Sequence, residues 1–244
     1  MTLKSTYLFM ALTLSSMVCA AQQGNPYRLE NGLETSRTCY TTQWICIGDT
    51  LAVDSSDHYG IIHLIDGFWI TSMEIPQDLW TYYMNSNPSR WKGGQLPVTG
   101  MTRSEIDTFC SKITEASRQK WRLPTKEEWL FAFKGGLHSE GYTFSGSNKH
   151  QFVGWFADNS GKLPHETELL IRNELYLYDM SGNVAEMVTS GDTIEWMGGC
   201  YLDQIPKKKG KTIVYIQPPA EAQGFRPVAH EPIWFDQYQN RVYR

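Results

Sequence analysis

Five cysteines, six histidines and one carboxylate set in an apolar run are the places where this sequence offers chemistry. Cys200, in Gly198-Gly199-Cys200-Tyr201, is the one catalytic candidate. A nucleophilic thiol needs a neighbouring cation or His to lower its pKa, and no His stands beside it in sequence. A packed thiol or half-cystine is therefore the better reading. His58, His63, His138, His150, His165 and His230 are scattered, with no pair at the spacing that puts two metal ligands on one helix face. No Gly-x-Ser-x-Gly, P-loop, HExxH or Cys-x-x-Cys pattern occurs.

The carboxylate is Glu186. It follows Asp179-Met180-Ser181-Gly182-Asn183, where Gly and Asn tolerate the backbone angles of a tight turn. A carboxylate beside inward-pointing carbonyls suits calcium, which takes several oxygens and accepts main-chain ones. On spacing alone, a turn whose Asn and Glu satisfy backbone donors is the stronger of the two readings.

The elements that position these residues follow from periodicity and caps. Leu175-Tyr176-Leu177-Tyr178, just before the turn, predicts a short extended segment packed on a core. Ile61 to Ile70 predicts a strand region. Pro76 to Asn85 predicts a helix, with Pro76 in its first turn and Leu79, Tyr82 and Tyr83 at helical spacing. Thr102 and Glu105 form a capping-box pattern ahead of the apolar stripe Ile106, Phe109, Cys110 and Ile113. Thr125 and Glu128 repeat that pattern ahead of Trp129, Leu130 and Phe133. Asp49 to Asp57 and Gly135 to Arg172 read as polar or glycine-rich loop, and Lys207 to Lys211 as a solvated basic loop.

A chain of 244 residues, 41% hydrophobic with 9 Trp, 13 Tyr and 10 Phe, can build a substantial core. The formal charge of −4 gives no basic surface for nucleic acid. Lys4, the apolar run Tyr7 to Val18 and the small residues around Ala20 make residues 1–20 a secretion signal, too short for a membrane span. Cleavage there removes Lys4, and −4 − 1 leaves −5. Cys19 sits where a lipid anchor would attach, but Val18 is a poor residue before a lipidated cysteine, so ordinary cleavage is expected. The destination is the periplasm, outer surface or medium. Cys39, Cys46, Cys110 and Cys200 then allow two disulfides in three connectivities. Cys39–Cys46 closes a short loop and comes first, whereas Cys110 reads as a buried free thiol.

The segment around the turn resembles the GLYDM-GNVWEW signature of the formylglycine-generating enzyme, or sulfatase-modifying factor, family. Other segments keep that family's order: Gly67 to Ile75, Asn87-Pro88-Ser89-Arg90-Trp91-Lys92-Gly93, Leu96-Pro97-Val98, Trp121 to Trp129, Tyr142 to Ser147, Gly154 to Gly161, Gly198 to Tyr201 and Gly224-Phe225-Arg226. The resemblance implies an α+β, C-type-lectin-like fold: a small twisted sheet, flanking helices and much ordered loop. It implies a domain over 58–228, an extension at 21–57 and a tail at 229–244.

It also implies calcium at the turn, with a carboxylate from Glu186 and carbonyls from Ser181, Gly182 and Val184, and Asn159 at a second site. Catalytic relatives of this kind oxidise a sulfatase cysteine to formylglycine with a copper(I)-binding thiol pair, soft ligands suited to that ion. Here Cys200 replaces the motif's Ser and Asp203 stands where the first thiol belongs, so copper is not expected. Ala185 and Met187 also replace the two Trp of the WEW element, and Met197 the Arg before Gly-Gly. The expectation is a non-catalytic binding or assembly module of the envelope, its partner an envelope protein or a glycan. The alternative is an active oxidoreductase of this family.

Overall fold

The chain separates into Met1–Thr41 and Thr42–Arg244, and only the second unit is described here. The structure is a computed structural model that describes residues 68–117, 119–205 and 217–229. It also gives the short strands at 42–45, 51–53, 62–64, 214–215, 234–235 and 241–242.

The three predicted helices form where their caps place them. Helix α1 (Gln77–Met84) starts behind Pro76, and Asn85 ends it in the left-handed region at φ 55°. In α2 (Arg103–Ser117), the Thr102 N–H donates to Glu105 Oε2 at 2.8 Å while Thr102 Oγ1 accepts from the Glu105 N–H at 3.3 Å. The same reciprocal bonds between Thr125 and Glu128 open α3 (Lys126–Phe133). The α2 stripe Ile106, Phe109, Cys110 and Ile113 is buried as its spacing requires. Phe109 stacks on Trp80 of α1 at 5.2 Å between ring centres, and Phe225 meets both rings edge-on.

Two four-stranded sheets carry the rest. The first runs β1 (Thr42–Ile45), β2 (Phe68–Thr71), β10 (Val228–Ala229), β3 (Trp121–Arg122), with every neighbour antiparallel. A parallel pair follows in the chain, β4 (Gly154–Trp155) with β5 (Ser181–Gly182). The second sheet runs β8 (Val214–Tyr215), β7 (Thr193–Met197), β6 (Ala185–Ser190), β9 (Gln223–Gly224), the last pair parallel. Phe68 and Ile70, Trp129 and Phe133, Met180, Val188, Met197 and Val228 join α3 and both sheets in one apolar cluster. The α+β class holds, with small sheets, short helices and long ordered loops between them.

Three local expectations change. The strand region 61–70 divides: Ile62–Leu64 pairs with Leu51–Val53, whereas Phe68–Thr71 pairs with β1 and β10. Leu51-Ala52-Val53 is an apolar triplet, which explains a strand inside a segment read as loop. Leu175 to Tyr178 is a turn instead of a strand. Asn173 Oδ1 accepts from the Leu175 and Leu177 N–H groups, and Tyr176 adopts φ 63°. A side chain that binds its own downstream backbone competes with extended pairing.

Candidate functional site

The Gly-Gly-Cys turn and the 179–183 turn are built against each other. Gly198 and Gly199 take φ 90° and 80°, and Asp179, Gly182 and Asn183 take 57°, 78° and 53°. The Gly182 N–H donates to Gly198 O at 3.0 Å, and the Tyr201 N–H to Asn183 O at 2.8 Å. At Gly182 a Cβ would lie 2.2 Å from Trp155 O, so this position accepts no side chain.

Cys200 is buried and in no disulfide. Asp203 closes the turn over it: its Oδ2 accepts from the Cys200 N–H at 2.5 Å, and its own N–H donates to Cys200 O at 3.0 Å. Asp203 thus serves as a turn-closing carboxylate. Cys110 is also a buried thiol outside any disulfide, pushed up to about 12 by burial and then by Asp107. That suppresses the thiolate form that reactivity needs. Cys39 and Cys46 lie outside the described residues.

Beneath these turns lies a buried charged centre. Arg226, with no exposed surface, donates from Nε to Glu186 Oε2 at 2.7 Å and from Nη2 to Oε1 at 2.8 Å. It also donates to Tyr178 O at 2.8 Å and Thr71 O at 3.1 Å. Trp129 Nε1 gives Glu186 Oε2 a further hydrogen bond at 2.6 Å. Glu74, equally buried, accepts from Asn183 Nδ2 at 2.7 Å and the Val184 N–H at 3.1 Å. Asp179 Oδ2 accepts from the Glu168 N–H at 2.8 Å, while its Oδ1, also buried, has no hydrogen-bond partner. Burial, and then the charge of Asp179, raises the Glu74 carboxyl well above its ordinary range. Burial likewise raises Asp179 to about 6.

The expected calcium ligands Ser181, Gly182, Val184 and Glu186 are adjacent here, but the Glu186 carboxylate is bound by Arg226 and Trp129. Its structural role is that of counter-ion. Asn159 is an internal cap: Oδ1 accepts from the Phe156 N–H at 2.7 Å and Nδ2 donates to Gly154 O at 3.0 Å. Among the described residues no three His, Cys, Asp or Glu side chains converge as a metal site.

A second structured loop spans Asn87 to Gly93, with Gln77 as its hub. Gln77 Oε1 accepts from Asn87 Nδ2 and the Gly93 N–H, and Nε2 donates to Trp91 O and Pro97 O. On the surface, Arg90 lies over the Trp91 ring and pairs with Glu221 at 3.1 Å, while Tyr201 Oη donates to Glu221 O at 3.2 Å. Half-exposed Trp91 and Leu202 thus flank the turn that holds Cys200.

Residues 50–229 match the model of the sulfatase-modifying factor enzyme 1-like domain. The chain belongs to that family. Solved structures agree on the fold. Treponema denticola variable protein 1 superposes with a TM-score of 0.67 at 21% identity, covering 79% of this chain and 95% of its own. CarF gives 0.58 at 19%, covering 80% and 99%. PvdO from Pseudomonas aeruginosa gives 0.57 at 12%, covering 79% and 92%. A Paenibacillus barcinonensis protein named chaperone protein LppX is 29% identical over 172 residues, which is 50% of this chain and 61% of that one. The chain therefore spans under two thirds of that relative's length.

For this member of the sulfatase-modifying factor family, sequence reasoning quoted Glu74, Asp179 and Arg226 inside motifs without assigning them roles. The available signal was a single charge inside an apolar run, as in Ser72-Met73-Glu74-Ile75, where the flanking Met73 and Ile75 are buried. Such a charge is retained only with a partner.

Proposed function

We propose that this chain is an exported, non-catalytic member of the sulfatase-modifying factor family that serves as a binding or assembly module of the cell envelope. One observation carries the non-catalytic reading. Asp203, at the position of the first expected thiol, closes the turn over a buried Cys200. A carboxylate is a hard ligand that copper(I) disfavours, and one thiol cannot supply a two-thiolate site. The partner is an envelope protein or a glycan, and the surface beside Trp91, Leu202 and Arg90 supports such binding through an aromatic ring with a cation over it. The Paenibacillus relative, named a chaperone, supports a protein partner. In support of export, the N-terminal 20 residues have the pattern of a secretion signal.

The test is an aldehyde-trapping assay on a Cys-x-Pro-x-Arg peptide incubated with the mature protein, with and without copper. The expected result is no mass change. Turnover that disappears in Cys200→Ser would establish the oxidoreductase instead.

A further inference from the structure

Two loops, 149–152 and 169–172, raise an apolar surface that nothing else in the described residues covers. Phe152 ends a single helical turn, His150–Phe152, with 44% of its surface exposed. The Ile171 N–H donates to Phe152 O at 2.8 Å and ties Ile171, 59% exposed, beside it. Leu169, two residues earlier, is 57% exposed. Scattered exposed apolar residues are ordinary, but here a backbone bond holds two of three large ones side by side. Two cations flank them. Lys149 Nζ lies 5.6 Å from the centre of the Phe152 ring. Arg172, next to Ile171 in the chain, sets its guanidinium 3.9 Å over the Tyr176 ring. Among the acids of these loops, Glu168 hydrogen-bonds the Ser72 side chain and Asp158 pairs with His150 at 2.9 Å, while Glu166 stays exposed.

We propose that this patch docks on an anionic phospholipid surface, with Phe152, Leu169 and Ile171 entering the headgroup layer and Lys149 and Arg172 meeting the phosphates. The composition favours lipid over a protein. Protein interfaces are depleted in Lys, and their strongest contacts come from Trp, Tyr and Arg, with Leu under-represented. Segments that lie on membranes combine Lys and Arg with Phe and Leu, as these loops do. The formal charge of −4 opposes docking by the rest of the surface, so the two cations also fix which face turns to the bilayer. The patch draws on none of the residues proposed above for partner binding and stands if that reading fails.

Protein lacking residues 1–20, whose apolar run could itself bind lipid, is sedimented with vesicles of phosphatidylcholine alone or mixed with phosphatidylglycerol. The expected result is binding to the anionic vesicles, weakened by salt. Phe152→Ser and Ile171→Ser should each lower the partition coefficient about tenfold, and Lys149→Gln about fivefold. Tyr82→Ser, at an exposed ring of α1, should leave it unchanged, and all four variants should melt like the parent because these side chains are exposed. Wild-type protein that sediments with neither vesicle overturns the proposal and leaves a protein as the occupant of the patch. Equal binding to both vesicles also overturns it, since the cations then select nothing. Binding that Phe152→Ser and Ile171→Ser leave intact is a refutation too, because another surface then meets the lipid; if one of the pair melts early, the other decides.

Discussion

Removing the cation of the buried centre tests the physical account most directly. In Arg226→Met the side chain keeps much of its bulk, while Glu186 loses both guanidinium bonds and Tyr178 O and Thr71 O lose one donor each. Breaking a buried ion pair by deleting one partner costs roughly 3–5 kcal/mol, because the other charge stays buried. Here Glu74 and Asp179 are left beside Glu186 with no cation, so the upper half of that range is expected. Typical total stabilities are about 5–15 kcal/mol, which makes this a large fraction. For a domain of this size the loss corresponds to a fall in melting temperature of about 8–20 °C. Thermal melts and urea denaturation of both proteins measure it. Glu186→Gln keeps an acceptor for Trp129 Nε1 and leaves Arg226 near two other carboxylates, so it should cost less. The double variant should recover roughly 0.5–3 kcal/mol relative to the sum of the singles. If Arg226→Met melts within about 2 °C of the parent, the pair does not hold the fold together and the reasoning fails.

Other consequences are equally specific. Gly182→Ala should fold poorly or not at all, since φ 78° and the approach of Trp155 O leave no room for a Cβ; a normal melt would contradict the turn geometry. In native protein, Cys110 and Cys200 should resist alkylation and label only on unfolding, and non-reducing peptide maps should show Cys39–Cys46 linked, which all four thiols free would refute. Burial raises the Asp179 carboxyl to about 6, against 3.8 ordinarily. The native state binds that proton more tightly, so the group's contribution is complete below about pH 4 and lost as pH rises to about 6, a change of about 3 kcal/mol. The stability difference between wild type and Asp179→Asn should follow that course, and a difference flat across the window would exclude it.

What could be read from the sequence follows the range of the interactions. Helices α2 and α3 were legible because Thr102 with Glu105 and Thr125 with Glu128 carry their start signals within three residues. The turn at Asp179 to Asn183 was legible from Gly182 and Asn183, which take positive φ as their types allow. Leu175 to Tyr178 misled because composition favoured a strand, while one side chain, Asn173, imposed a turn. The charged centre was illegible for a different reason. Glu74, the segment that carries Asp179 and Glu186, and Arg226 are far apart in the chain, and they meet only in the folded domain. Nothing local to Glu186 reveals its pairing with Arg226.

The strand order of the first sheet also bears on when this protein can mature. Its inner strand β10, Val228–Ala229, lies between β2 and β3, which meet only through it. Arg226, two residues earlier, brings the guanidinium that neutralises Glu186. A nascent chain that has released residues 68 to 220 thus already carries α1 to α3 but has neither the inner strand nor Arg226. Long-range pairing of this kind is paid for late, after loop closure. Synthesis must therefore pass residue 229 before the domain can lock, and a stop codon a few residues earlier yields a product for proteolysis and no smaller working domain.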